Sequence, residues 1–362
     1  MRRLILVILL LSASVSLRAQ LAVRPEFRVR FVTALLNSEF DASDNQLATS
    51  GTIGVIRLNP YVGISFNEKH RLMGGVMGLK YFGSPDQKLT VEGAVWYQYD
   101  TPKFTFAGGI FPRSILKGNY STAILSDAKL LVDGHLDGFL LQWHPGRSHY
   151  EIALDWNGRF GQKRREQFNV ITYGQGYITR WFSLGWEGMF HHYASSVEAP
   201  GVVDDHILHA FAKADFSSYT GLQQLYIQAG AMGGYHRNRV TDQSHYPLGV
   251  NIDVAAMKWG FGLRNQFYYG GSQAPFYKDL DTAGQPFGSD LYMRSSFWQI
   301  RTDGASAGYY DRVDLFWQRS FGTYVTLVVQ LRFYFGQGGY VGNQQLIKAV
   351  VNLDKITFKK RK

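Results

Sequence analysis

Residues 89–99 read LTVEGAVWYQY and alternate from end to end. Leu89, Val91, Gly93, Val95, Tyr97 and Tyr99 share one parity, and Thr90, Glu92, Ala94, Trp96 and Gln98 share the other. Successive side chains of a strand point to opposite faces, so this segment has an apolar face and a wetter one. Its length is that of a strand crossing a bilayer at a tilt.

The same rhythm runs outward through the chain. Tyr150, Ile152, Leu154 and Trp156 alternate with Glu151, Ala153 and Asp155. Phe182, Leu184, Trp186 and Phe190 alternate with Ser183, Gly185, Glu187 and His191. Val325, Leu327, Val329, Leu331, Phe333 and Phe335 alternate with Thr326, Val328, Gln330, Arg332 and Tyr334. Aromatics gather at the ends of the apolar parity, where Tyr and Trp sit at lipid headgroups.

Connections supply a second rhythm. Short segments rich in turn formers, at 67–70, 100–103, 144–147, 179–181, 217–221, 256–259 and 320–322, alternate with longer ones. The longer set is 37–51, 83–87, 112–134, 158–166, 193–205, 236–246, 270–307 and 336–344. Together they divide the chain into about sixteen strands with both ends on the periplasmic side. The fold expected is all-β: a transmembrane antiparallel up-and-down β-barrel with short periplasmic turns and long extracellular loops.

Composition agrees. Aromatics are 15% and charged residues 18% of the chain, below the roughly 25% charge of soluble domains. Mean hydropathy is nevertheless −0.17, so apolar residues alternate with polar ones instead of forming blocks. No run after the N-terminus approaches the ~18 apolar residues of a spanning helix. There is no cysteine. Arg2 and Arg3 precede the apolar run from Leu4 to Leu11, and Ala19 offers a cleavage site, so 1–19 reads as a signal peptide and 20–362 as one barrel domain in the cell outer membrane.

The formal charge is +10, but Arg2, Arg3 and Arg18 lie in the leader and Lys359, Lys360, Arg361 and Lys362 in the tail. No basic face with interleaved aromatics remains, which excludes nucleic acid as a partner. The inward parity carries a basic wall of Arg28, Arg30, Arg57, Lys80, Arg264, Arg312, Arg332 and Lys348. Opposite it stands an acidic wall of Glu92, Glu151, Asp155 and Glu187. Such walls impose a transverse field on the lumen, or are paired locally. In loop 112–134, Ser121 is a candidate N-cap for a short helix with Ile124, Leu125, Ala128, Leu131 and Val132 on one face. Folded inward, this loop would narrow the pore and present Arg113, Lys117, Asp127 and Lys129.

The signal peptide, strand count, loop rhythm and long loop after the fifth strand resemble the general porins. The resemblance covers nearly the whole mature chain and is architectural. The acidic Pro-Glu-Phe-Gly-Gly type sequence of porin constriction loops is absent, and Phe358 is followed by four basic residues. The resemblance implies passive passage of small hydrophilic solutes by a homo-oligomer embedded in outer-membrane lipid. On this reading the chain is a channel and not an enzyme.

Two alternatives carry named residues. Phe276, Tyr277, Phe287, Tyr292 and Trp298 in loop 270–307 make an aromatic external surface suited to binding or adhesion. Asp204, Asp205 and His206, with His191 and His192 across the connection, vaguely resemble the carboxylate and His pairs of outer-membrane proteases, which activate water by general-base action. Adjacent His191 and His192 point to opposite faces of a strand, so they make no metal site, and no cofactor is expected.

Overall fold

The computed structural model describes residues 23–40, 50–83, 87–194, 196–276, 279–284, 286–287, 298 and 307–354. Residues 1–19, expected from sequence to be a leader, and the basic tail lie outside the described residues, as do Tyr277 and Tyr292. Seventeen strands occur among the described residues. They are β1 (Val23–Phe40), β2 (Gly51–Phe66), β3 (His70–Tyr81), β4 (Thr90–Asp100), β5 (Phe104–Pro112) and β6 (His135–Trp143). β7 (His149–Gly158), β8 (Gln167–Tyr177), β9 (Phe182–Tyr193), β10 (Val203–Asp215) and β11 (Gln224–Asn238) follow. The last are β12 (Gln243–His245), β13 (Leu248–Lys258), β14 (Phe261–Gly270), β15 (Gly308–Phe321), β16 (Val325–Gly336) and β17 (Gly339–Asn352).

Each strand pairs antiparallel with its neighbour in sequence, except that three-residue β12 caps β11, which continues to β13. β1 pairs with β2 on one side and with β17 on the other, from Arg30 opposite Asn352 to Phe40 opposite Gly342. The result is a closed ring of sixteen strands with no free edge, so the strand hydrogen bonds are made within the ring. Among the described residues no helix is long and apolar enough to cross a membrane.

The faces follow the predicted parity. Val62, Val95, Phe139, Ile152, Leu184, Leu208, Leu263 and Ile347 are exposed on the outside. Near the short turns Phe104, Trp143, Tyr150 and Trp186 stack in sequence along the wall from β5 to β9, with ring centroids 6.5, 5.3 and 5.6 Å apart. This is an aromatic girdle at the periplasmic rim. Each of the seven short turns overlaps the segment the sequence places, although β13 continues through 256–258 and β15 through 320–321. One long connection departs further. Within the expected loop 336–344, β16 and β17 continue until only Gln337 and Gly338 separate them, and Gly338 and Gly339 supply the positive φ that a tight hairpin demands.

The lumen is not empty. Loop 113–134 enters it, and its only α-helix, α1 (Asp127–Val132), seats Ala128 and Leu131 on Val32, Leu36, Val55, Leu79 and Leu346 of the barrel wall. The N-cap is Ser126, whose side chain accepts from Lys129 N, and not Ser121. Ser121 instead opens a preceding turn through its carbonyl, which accepts from Ile124 N and Leu125 N. Ala123, Ile124 and Leu125 pack in the barrel centre with Trp96, Phe111, Leu136, Met189 and Met232. At the loop base Arg113 N donates to Gly134 O, and a Cβ at position 134 would lie 2.6 Å from Met77 Sδ, so glycine allows the close return.

Candidate functional site

Two chemically distinct regions emerge, one on the outside of the barrel at its extracellular rim and one in the lumen. The first is built from β9 and β10. Their register sets His192 directly opposite Asp204, and both lie on the lipid-facing parity. His192 Nδ1 is 2.6 Å from Asp204 Oδ1. Asp204 is 4% exposed, and its other oxygen accepts from Arg239 Nη2 at 2.8 Å and Nε at 3.2 Å. The Arg239 side chain remains half exposed. Beside the imidazole, Trp156 stacks on Phe168 at 5.4 Å and Phe168 meets His192 at 5.2 Å. On the other side His206 lies 5.5 Å from Phe190 and 5.8 Å from Tyr235. The His–Asp pair therefore sits within the upper aromatic girdle, at the boundary between hydrocarbon and headgroups.

The run Asp204, Asp205 and His206 is divided by the strand period. Asp204 and His206 face outward. Asp205 faces inward and its Oδ1 lies 2.7 Å from His236 Nδ1, with both side chains buried. His236 Nε2 in turn lies 3.2 Å from Gln273 Oε1, which ties loop 271–276 to the wall. His191 faces inward, 2.9 Å from Asn169 Oδ1, so the two adjacent histidines do serve opposite faces. Among the described residues no group of three or more His, Asp and Glu is arranged to hold a metal ion. Arg239 and His236 were not singled out from sequence. The register that brings them to Asp204 and Asp205 spans more than thirty residues and leaves no local signal.

In the lumen, the acidic wall holds the loop. Glu151 accepts from Lys117 N at 3.0 Å and Gly118 N at 2.7 Å, and Glu187 accepts from Ser121 N at 2.6 Å. Glu187 also lies 2.9 Å from His209 Nδ1. Arg113, 3% exposed, donates to Asp133 and Asp155, each at 2.8 Å. Lys129 pairs with Asp133 at 2.7 Å. Glu92 stands apart on the inward parity, its carboxylate half exposed and 3.9 Å from His135. Burial alone would raise the Asp133 carboxyl, but Arg113 and Lys129 outweigh it and hold it below the usual carboxylate range. The same contest at Asp127, burial against Arg332, Lys348 and Arg312, leaves that carboxyl far below its ordinary value.

The basic wall is mostly neutralised locally. Arg28 pairs with Glu26, Arg264 with Asp253, Arg312 with Asp314 and Arg332 with Asp127. Arg30, Arg57 and Lys348 face the lumen with no ion pair to a described residue. Lys80 is a correction: it pairs in register with outward Ile56, so it lies on the lipid-facing parity at the rim, where its amine meets Gln87 O. The aromatic surface is also corrected. Phe276, Phe287 and Trp298 are buried. Trp298 donates through Nε1 to Thr122 Oγ1 at 3.0 Å and wedges between Tyr268 and Tyr310, at 5.2 and 5.1 Å. Trp298 thus joins one inward loop to another, while Phe276 and Phe287 pack with Tyr193 and Val203, and none of the three rings is displayed to solvent.

The family model described as lipid A 3'-O-deacylase-type matches residues 25–336. No curated protein sequence matches the chain. Among solved structures, the chain is similar to a loop L8 deletion mutant of OmpT, an outer membrane protein of Vibrio cholerae, with a TM-score of 0.55 at 10% identity, covering 91% of this chain and 99% of that one. Outer-membrane-expressed OmpT of Vibrio cholerae gives a TM-score of 0.52 at 10% identity, over 91% and 98% of the two chains. At such identity the likeness is one of fold, that of a porin-like outer-membrane barrel.

Proposed function

The chain belongs to the lipid A 3'-O-deacylase-type family, and on that premise we propose that it hydrolyses an acyl ester of lipid A in the outer leaflet of the outer membrane. The observation that carries the reading is the outward-facing His192–Asp204 pair within the upper aromatic girdle. The ester bonds of an acylated sugar headgroup lie at that depth, where hydrocarbon meets the polar layer.

The chemistry follows from the pair. With the Asp204 carboxylate accepting, His192 carries its proton on Nδ1 and keeps Nε2 as a base. Nε2 removes a proton from water as its oxygen attacks the acyl carbonyl carbon. The tetrahedral intermediate collapses by breaking the bond from the acyl carbon to the sugar oxygen, and the His192 imidazolium returns its proton to that oxygen. The products are a fatty acid and a free sugar hydroxyl. Asp204 orients the ring and stabilises its cation. Arg239 donates to the second oxygen of Asp204, and its half-exposed guanidinium offers charge to an anionic headgroup.

The decisive assay is mass spectrometry of lipid A incubated with the purified barrel in mixed micelles. Loss of one acyl chain by the native protein, absent in His192→Ala, supports the reading, and equal lipid A profiles oppose it. A second reading, passive passage of small hydrophilic solutes, is favoured by the charged side chains Arg30, Arg57 and Lys348 on the inward parity of a wide sixteen-strand ring. Planar-bilayer conductance tests it. The sequence alone ranks passage above hydrolysis; the family membership and the packed lumen reverse that order.

A further inference from the structure

The cavity below α1 is lined by Arg30, Arg57, Arg113 and Lys348, with Asp127 and Asp133 as its acidic members. Both carboxylates are already engaged, Asp127 by Arg332 and Asp133 by Arg113 and Lys129. Arg113 also has Asp155. That leaves Arg30, Arg57 and Lys348 directed at one shared space with no ion pair of their own among the described residues, the carboxylates Asp354, Asp133 and Asp127 acting on them only through space. Arg57 is 5% exposed and spends Nη1 on the carbonyls of Leu130 and Leu131, at 2.9 and 3.2 Å. Its Nε, and that of Arg30, are buried donors without a hydrogen-bond acceptor. Converging cations with unmet N–H groups in a low-dielectric pocket are costly unless an anion neutralises them.

We propose that this cavity binds a small inorganic oxyanion of the phosphate type, held between Arg30, Arg57 and Lys348. Its volume of about 110 Å³ leaves room for a phosphate-sized oxyanion. Guanidinium groups match oxyanion geometry with paired donors. Arg57 also grips the last turn of α1, so an anion here would fasten the loop to the β1, β2 and β17 wall.

The test titrates inorganic phosphate into the purified full-length barrel in detergent, at constant ionic strength in chloride, by calorimetry and by Tm. Saturable binding with a stoichiometry of one and a rising Tm are expected. Lys348→Gln and Arg30→Gln should each weaken Kd about tenfold or more. Lys213→Gln, another inward cation away from this cavity, should leave Kd unchanged. Absence of saturable phosphate binding by the native protein overturns the site, and that result does not depend on any variant folding. Equal weakening by Lys213→Gln would show a diffuse charge effect and overturn it too.

Discussion

Asp127 in the loop helix α1 and Arg332 on β16 are 205 residues apart in the chain and form an ion pair inside the barrel. Each side chain is largely withdrawn from water, so the pair couples the loop to the closing seam of the ring. Removing one partner of a buried pair typically costs about 3–5 kcal/mol, because the other charge is left uncompensated. Asp127→Asn should therefore release α1 while the ring, closed by its own ladders, persists. Hydrogen exchange across residues 113–134 should rise sharply with exchange in β1 and β17 unchanged. Unaltered exchange in the loop would show that apolar packing of Ala128 and Leu131 alone holds it.

The same latch sets an acid limit. Asp127 and Asp133 have folded-state values below those of the unfolded chain, because their cationic partners outweigh burial. Their contribution is fully present above the ordinary carboxylate range and is lost as pH falls through the depressed values. Loop protection should thus be flat from neutral pH down to about pH 5 and decline progressively below it, as pH falls from the ordinary Asp value of ~3.9 through the depressed values. Protection that stays constant into strong acid would contradict the pairing.

At the rim, His192→Ala and Asp204→Asn should lower ester hydrolysis by about 10²–10⁴-fold, the usual contribution of a positioned general base and its orienting carboxylate. Neither change touches the ring ladders, so heat-modifiable migration of the folded barrel should be retained. His209→Ala, which disturbs the lumen partner of Glu187, should reduce loop order without an equal loss of hydrolysis. Equal loss in both would move the chemistry into the lumen.

Trp298→Ala removes the wedge between Tyr268 and Tyr310 and the bond to Thr122. Deleting a buried Trp costs about 3–5 kcal/mol where the site cannot collapse. Here the cost falls on the contact between two inward loops, and single-channel conductance in planar bilayers should rise above that of the native protein. Conductance equal to native would mean that loop 113–134 by itself limits passage.

Parity made the ring legible in the sequence. Period-two alternation and turn chemistry are local, so residues such as Val95, Ile152 and Leu331 announce their face without knowledge of their neighbours. Lys80 misled because it stands near the end of a strand, where a charged side chain is tolerated on the outer face at the headgroup level. Loop 270–307 misled for another reason. Aromatic composition does not say whether rings such as Phe276 and Trp298 turn inward or outward. The acidic wall was readable as inward, but its role in accepting backbone N–H groups of loop 113–134 was not, because that depends on where a loop folds. The His192–Asp204 pair was within sight in the run 204–206, yet only the register of β9 on β10 selects His192 over His191 and Asp204 over Asp205.

The most direct measurement is the lipid A profile of outer membranes carrying the native barrel or His192→Ala at equal, folded abundance. The expected result is a species lighter by one acyl chain with the native protein and none with the variant. Identical profiles, with both barrels folded and lipid A present around them, would contradict an esterase at the lipid-facing rim.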